Sequence, residues 1–547
     1  MGAIPPYSLT KRINVLFIFF LFLGLFISSR YANLSVFHHR FGATTPLLSA
    51  LNDPSVNQQS GEIFFKDRFS ELMPLAINKD FFTVYADTRL VKEKEAAART
   101  LFALLSVPYD ALFEKLSKPD DPYEALAQKV PDAIVDEIRD LRMPGIGIEA
   151  QKGRYYPYQN SASHVVGFLG IKNDKKTGQY GLESFYEDDI RDGGMSSRLV
   201  LSVDPHIQFK LEEALKETIQ KWQARFGTAI VLEPSTGRML GMANYPDFNP
   251  NEYAKVSDIS VFNNTAIAGQ FELGSVFKPI TMAAGLNEKV ITPETTYEDK
   301  GQVTMGSYVI KNWDGKAHGV KTMTEVLENS LNTGVVFVEE KIPKETFGKY
   351  IREFGFGAKT GIDLSGEVSG NTRNLNTNRD FEFANISFGQ GIAITPLQMT
   401  SALAAVANNG VLMKPHVVDH VFFADGSDAI IQPEPVRSVV SRETAQALTK
   451  MLVSTVVNGN DKARVPGYFV AGKTGTAQIP NEDKKGYSEN TIHSFAGFAP
   501  AYHPQFVLFL SIDSPQGVRF ASESLAPAFA DIMSYLLTYY EIPPDFK

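Results

Sequence analysis

The chain has 547 residues, no cysteine, nine histidines and a formal net charge of −9. The absence of cysteine excludes disulfides, thiol catalysis and cysteine-ligated metal, and the histidines show no paired metal-ligand spacing. Hydrophobic residues at 44% and charged residues at 21% describe an ordinary folded chain, long enough for about three or four domains and without the charge balance of a broad nucleic-acid-binding face.

Residues 1–12 form a short segment ending in Lys11 and Arg12. The apolar stretch that follows predicts a membrane anchor over 13–31, with the basic residues placing its start in the cytoplasm. Its strictly apolar part, Val15 to Ile27, also suits a signal-peptide core, but no small-residue cleavage site follows it. Residues 32–60 read as a linker.

A folded region is expected from Gly61. Phe82 to Ala86 has strand character, and Lys92 to Leu105 is rich in helix formers. Ile134, Ile138 and Leu141 recur at helical spacing after Pro131 and Asp132, which predicts an amphipathic helix. The stretches Arg154 to Asn160 and Gly178 to Glu183 read as loops, and the charged residues of this region as solvated faces. Leu199 to Val203 is a strand. Pro205 to about Arg225 is a helix with apolar Ile207, Leu211, Leu215 and Ile219, and it leads into a hairpin over Gly227 to Ala243 turned at Pro234-Ser-Thr-Gly237.

Gly274-Ser275-Val276-Phe277-Lys278-Pro279 comes next. In a helix starting here, Ser275 and Lys278 share a face, and Pro279 sits in the first turn, where a missing N–H costs little. A neutral lysine can take the proton of a serine, but only once its pKa is drawn down by burial or by a second cation. Val326 to Gly334 places Ser330 and Asn332 in a turn between helices. Phe354 to Gly357 and Gly361 to Gly366 are turn-rich, and a helix is expected from Leu397 to about Asn408. Tyr468 to Gln478 reads as a strand carrying Lys473, Thr474 and Thr476, and Gly475 within it implies close approach to the backbone. Ser494 to Ala499 and Phe506 to Ile512 are adjoining strands. Ala521 to Tyr539 is a closing helix. His493 reads as a packed or surface histidine, and Tyr539 and Tyr540 as packing residues.

Taken in order, Ser275-x-x-Lys278, Ser330-x-Asn332 and Lys473-Thr474-Gly475 resemble the signature of the penicillin-recognising serine acyltransferases. Arg154-x-Tyr156-Pro157, Ala162 to Gly167, Gly181-Leu-Glu183, Phe388-Gly-Gln-Gly391 and Thr395-Pro-Leu-Gln398 narrow the resemblance to class B penicillin-binding proteins. Two stretches depart from the usual pattern: Leu273 precedes Gly274 where proline is common, and Asp67-Arg68-Phe69-Ser70 replaces Asp-Arg-Asn-Gly. The resemblance implies an α+β multidomain chain: cytoplasmic tail 1–12, anchor 13–31, linker 32–60, a non-catalytic pedestal of the dimerisation type over 61–220, and a transpeptidase domain over 221–547. That last domain would have an antiparallel sheet sandwiched by helices, as in serine β-lactamases.

The function so implied is a peptidoglycan D,D-transpeptidase of the bacterial inner membrane, single-pass, with its catalytic domain outside the cytoplasm. Ser275 would be the nucleophile, Lys278 its base, Lys473 the second cation and Ser330 a proton relay. Asn332, Thr474, Gly475 and Thr476 would bind the donor peptide, with the backbone N–H groups of Ser275 and Thr476 as oxyanion donors. The implied partners are stem peptides ending in D-Ala-D-Ala, β-lactams, the membrane, a polytopic lipid-linked glycosyltransferase, and divisome or elongasome proteins. No cofactor, metal or nucleic acid is implied. Thr83 to Asp87 is similar to the pedestal of division enzymes, which favours septal synthesis. The alternatives are a hydrolytic relative (a D,D-carboxypeptidase or β-lactamase) and a non-catalytic β-lactam sensor or scaffold.

Overall fold

A computed structural model of the chain describes residues 60–172, 175–191, 198–377, 379–423, 425–481 and 486–546. The tail, the anchor and all but the last residue of the linker lie outside these. Among the described residues no helix is long and apolar enough to cross a membrane.

The C-terminal part is built on a five-stranded antiparallel sheet. Its strands run in the order Ala471–Pro480, Tyr487–Ala499, Phe506–Asp513, Gly227–Leu232 and Met239–Tyr245. Successive side chains of a strand point to opposite faces, and here both faces are covered. Ala229, Val231, Leu508 and Leu510 pack among Ile207, Leu211, Phe529 and Leu536 on one side. Ile230, Leu232, Val507 and Phe509 face the larger core on the other, with Ile280, Leu403 and Leu448. Two-sided burial explains why Gly227–Leu232, Met239–Tyr245 and Phe506–Asp513 read as nearly unbroken apolar runs. The strand carrying Lys473 lies at the edge of the sheet, and that position matters for the site.

Helix Pro205–Trp222 is capped by the Asp204 carboxylate, which accepts from the backbone N–H groups of His206 at 2.8 Å and Ile207 at 3.4 Å. All four residues of its apolar repeat are buried against the five-stranded sheet. Sequence places this helix in the pedestal up to residue 220, whereas its packing belongs to the second domain. The closing helix is in fact two, Ala521–Ser524 and Ala526–Tyr539. Pro527 lacks the N–H that a continuous helix needs, and it sits instead in the first turn of the second.

The pedestal sheet is arranged around Leu72–Ala86, a 15-residue strand of which the sequence shows only the last third. Ile63–Lys66, Glu124–Val130 and Ile146–Tyr155 pair with it. Helix Asp132–Asp140 buries Val135 and Ile138, while Leu141, expected on the buried stripe, is 47% exposed. The reason is that the helix ends before Leu141 completes the pattern. Beyond Ile63–Lys66 the sheet continues through Arg198–Leu201 to Val418–Phe422 and Asp428–Ile430. Two strands from the second half of the chain therefore complete the sheet of the first, crossing the expected division at residue 220. Asp419 on one of them accepts from Arg238 at 2.8 and 3.1 Å and pairs with Lys66.

Two loops of the sequence reading are structured. Arg154 lies on strand Ile146–Tyr155, and Gly181–Phe185 is helical. Nor are their charges solvated. Arg154 Nε donates to Glu183 Oε1 at 2.6 Å, with the two side chains 3% and 0% exposed. The Tyr156 hydroxyl donates to the same oxygen at 3.1 Å and accepts from the Leu169 N–H at 2.9 Å.

Candidate active site

Ser275 lies on a short 3-10 turn, Gly274–Phe277, which runs into helix Lys278–Asn287 with Pro279 in its first turn. Gly274 has φ 61°, a left-handed conformation that favours glycine. Its N–H donates to Gly389 O at 3.1 Å, and a Cβ on Gly389 would lie 2.2 Å from Gly274 O. The Phe388-Gly-Gln-Gly391 stretch is thus a backbone support pressed under the serine turn. Thr395-Pro-Leu-Gln398 is a capping box opening helix Pro396–Ala407: Thr395 Oγ1 accepts from the Gln398 N–H and Gln398 Oε1 from the Thr395 N–H.

The two lysines meet at Ser330. Lys278 Nζ donates to Ser330 Oγ at 3.2 Å and to its carbonyl, while Lys473 Nζ donates to the same Oγ at 2.9 Å and to Thr474 O at 3.2 Å. Lys278 is 0% and Lys473 1% exposed. Burial holds the Lys278 amine well below the usual lysine range, and the charge of Lys473 lowers it further. Burial also brings Lys473 down, to about 7. For Lys278, desolvation is therefore the larger cause and repulsion the smaller. Ser330 itself stands at φ 54° between helices Met323–Glu328 and Asn332–Glu339.

Ser275, Ser330, Asn332, Lys473, Thr474 and Thr476 all line one cavity of about 850 Å³. Strand alternation sends Lys473 and Thr474 to opposite faces, and both reach this cavity because their strand is the sheet edge. Asn332 Nδ2 donates to Lys311 O at 2.9 Å, and Thr476 Oγ1 accepts from the Ala521 N–H at 3.1 Å. Gly475 departs from its expected place. A Cβ there would lie 2.4 Å from Ser494 Oγ and 2.5 Å from Leu273 O, so the space beside it holds the serine turn itself and not a substrate.

Sequence reasoning missed the cavity rim. Trp313 and Phe520 meet there edge to face, ring centroids 5.1 Å apart at 77°, and the Trp313 indole donates to Asn329 O at 3.2 Å. Trp313 is one of two tryptophans in the chain, a rarity that could have drawn attention; Phe520 carries no such signal. His493 is buried, and its Nδ1 and Ser524 Oγ lie 2.8 Å apart. Burial brings its pKa down to about 4, consistent with a packed neutral imidazole.

Comparison with known proteins matches this geometry to a family. Residues 227–534 match the penicillin binding protein transpeptidase domain, and residues 61–206 the penicillin-binding protein dimerisation domain. The chain is 33% identical over 504 residues to the stage V sporulation protein D of Bacillus subtilis, covering 86% of this chain and 77% of that one. It is 29% identical over 499 residues to the peptidoglycan D,D-transpeptidase FtsI of Escherichia coli K12, covering 86% and 83%. Among solved structures, penicillin-binding protein 3 of Mycobacterium tuberculosis superposes in its apo form with TM-score 0.66 at 31% identity, over 72% of this chain and 92% of that one. Its aztreonam complex gives 0.69 at 27% identity, over 89% and 98%. With a dimerisation domain followed by a transpeptidase domain, the chain belongs to the class B penicillin-binding proteins.

Proposed function

We propose that the protein is a peptidoglycan D,D-transpeptidase that cross-links stem peptides through an acyl-enzyme on Ser275. The observation that carries this reading is the convergence of two buried lysines on Ser330, in the cavity that Ser275 lines. A lysine deprived of water and of a carboxylate partner favours its neutral form, and a neutral amine one turn from a serine can serve as its base. Ser275 Oγ attacks the carbonyl of the penultimate D-Ala while Lys278 takes its proton. The proton passes through Ser330 to the departing D-Ala amine. Thr474 and Thr476, on the edge strand, bind the donor's terminal carboxylate with Lys473 behind them, and the unpaired edge offers backbone groups to an extended peptide. Asn332 orients the donor amide. Backbone N–H groups of Ser275 and Thr476 stabilise the oxyanion, each worth roughly 3 kcal/mol. An amine of a second stem then takes the acyl group.

The named activity of the Escherichia coli relative and the aztreonam complex of the Mycobacterium tuberculosis structure support this reading. By the same reading, residues 13–31 anchor the chain in the cell membrane with the catalytic part outside, the pedestal begins at residue 61 and the transpeptidase domain follows it, and the work is septal. A polytopic glycosyltransferase is the protein partner that the reading implies.

The test is intact mass of the full-length protein in detergent after incubation with benzylpenicillin, beside Ser275→Ala. One penicillin per chain, stable over hours and absent from Ser275→Ala, is expected. Rapid loss of the adduct would turn the reading to a hydrolase, and no adduct on folded protein to a non-catalytic scaffold.

A further inference from the structure

One carboxylate in the cavity has no part in the chemistry above. Glu328 ends helix Met323–Glu328, two residues before Ser330, and lines the cavity together with Ser330, Asn458, Asn460 and Lys473. Its carboxylate is held in place: Ser454 Oγ donates to Oε1 at 2.5 Å and Asn458 Nδ2 to the same atom at 2.9 Å. One donor, Ser454, immediately precedes a single π-helical turn, Thr455–Gly459, and the other, Asn458, lies within it, a rare conformation that recurs beside functional sites. The turn presses on Glu328 so closely that a Cβ on Gly459 would lie 2.4 Å from Glu328 O. Among the described residues, the recorded hydrogen bonds of the carboxylate fall on Oε1 alone. The other carboxylate lining the cavity, Glu489, is exposed on strand Tyr487–Ala499, two residues before Thr491, which pairs with Gln478.

The reaction takes two substrates of opposite charge. The donor ends in a carboxylate and is drawn to the Lys473 strand. The acceptor is an amine, and with α-amino groups titrating near about 8 it is mostly an ammonium ion at pH 7. We infer that Glu328 binds that ammonium group on the Ser330 side of the cavity and aims it at the acyl-enzyme. This rests on the transpeptidase reading. After the alanine has left, the bound ammonium gives one proton to water. Its neutral nitrogen attacks the ester carbon on Ser275, the C–N bond forms, and the C–Oγ bond breaks. A second proton leaves the nitrogen through the Ser330 hydroxyl and Lys278 to Ser275 Oγ. Glu328 takes part in neither bond change; it selects a cation and fixes its approach.

The experiment uses the full-length protein in detergent, a D-alanyl thioester as donor, and two acceptors: D-alaninamide, mostly cationic at pH 7, and hydroxylamine, neutral at that pH. Glu328→Gln keeps an oxygen for Ser454 and Asn458 while losing the charge. It is expected to raise the KM for D-alaninamide about tenfold, the order of one charge-assisted contact, and to divert the acyl-enzyme to hydrolysis. Acyl-enzyme formation and transfer to hydroxylamine should change by less than about twofold, and Glu489→Gln should leave the KM for D-alaninamide unmoved. In the wild type, raising ionic strength should raise the KM for D-alaninamide and not that for hydroxylamine. An unchanged KM in a Glu328→Gln that still forms acyl-enzyme overturns the inference alone. If that variant does not fold, a wild-type KM indifferent to salt and to acceptor charge overturns it equally. A wild type that forms no acyl-enzyme overturns the transpeptidase reading instead.

Discussion

The pedestal and the catalytic cavity both take cations out of water, and they do so in opposite ways. Arg154 is buried against Glu183, and although burial opposes its charge, the carboxylate and the Tyr156 hydroxyl hold its pKa above the ordinary arginine value. Lys278 and Lys473 are buried against each other and a hydroxyl, and both are lowered. A paired guanidinium is a permanent fixture of a fold, whereas unpaired amines are poised to exchange protons. The choice of residue follows: arginine where charge must never change, lysine where it must.

The sharpest way to break this comparison is to exchange the two chemistries. Lys278→Arg puts a group that stays charged where a base is required, and acylation by benzylpenicillin is expected to fall by about 10³-fold, within the range of general-base contributions. Adduct formation followed by intact mass gives the rate, and a variant acylated within tenfold of wild type would undo the argument. In the pedestal, Glu183→Ala leaves Arg154 buried without its partner, which should cost about 3–5 kcal/mol in chemical denaturation. Replacing both, with Arg154→Met and Glu183→Leu, should recover most of that, because the penalty belongs to the stranded charge.

Smaller effects refine the picture. Lys473→Ala removes the repulsion on Lys278, so the Lys278 pKa rises, and the acid limb of the acylation profile moves to higher pH. The same residue carries a stability signature. Its folded pKa of about 7 lies below the ordinary 10.5, so the unfolded chain binds more protons between those values. Stability therefore rises with pH across that window, the penalty is complete below about 7, and Lys473→Ala should flatten the rise in melting temperature. Last, Gly475→Ala forces a Cβ against Leu273 O and Ser494 Oγ, and about 1–3 kcal/mol of destabilisation is expected from the strain.

The cavity was legible where its chemistry depends on short spacing. Ser275 and Lys278 are one turn apart, and Ser330 and Asn332 bracket one loop, so sequence sets each pair on one short stretch. That Lys473 and Thr474 reach one cavity could not be read, because only strand order makes theirs the edge strand. Gly475 was correctly marked as a point of close approach, but a single sequence does not say what approaches. The pedestal was harder. Arg154 and Glu183 are 29 residues apart, and a charged residue in a polar stretch looks solvated until its partner is placed. Trp313 and Phe520 meet only through tertiary structure. In the five-stranded sheet, by contrast, two-sided burial leaves apolar runs that mark Gly227–Leu232, Met239–Tyr245 and Phe506–Asp513 plainly.

The strand Val418–Phe422, lying beside Arg198–Leu201, has a consequence for the order in which the molecule can be made. A ribosome delivers the chain from its N-terminus, and domains generally fold as they emerge. Here the first sheet stays open at one edge while some two hundred further residues are synthesised, and only then does its neighbouring strand arrive. A truncation after the Pro205–Trp222 helix would leave that edge bare, with Val200 and Leu201, now buried, set along it. Such a fragment should self-associate through the open edge, so the pedestal is a unit of architecture without being a unit of biosynthesis.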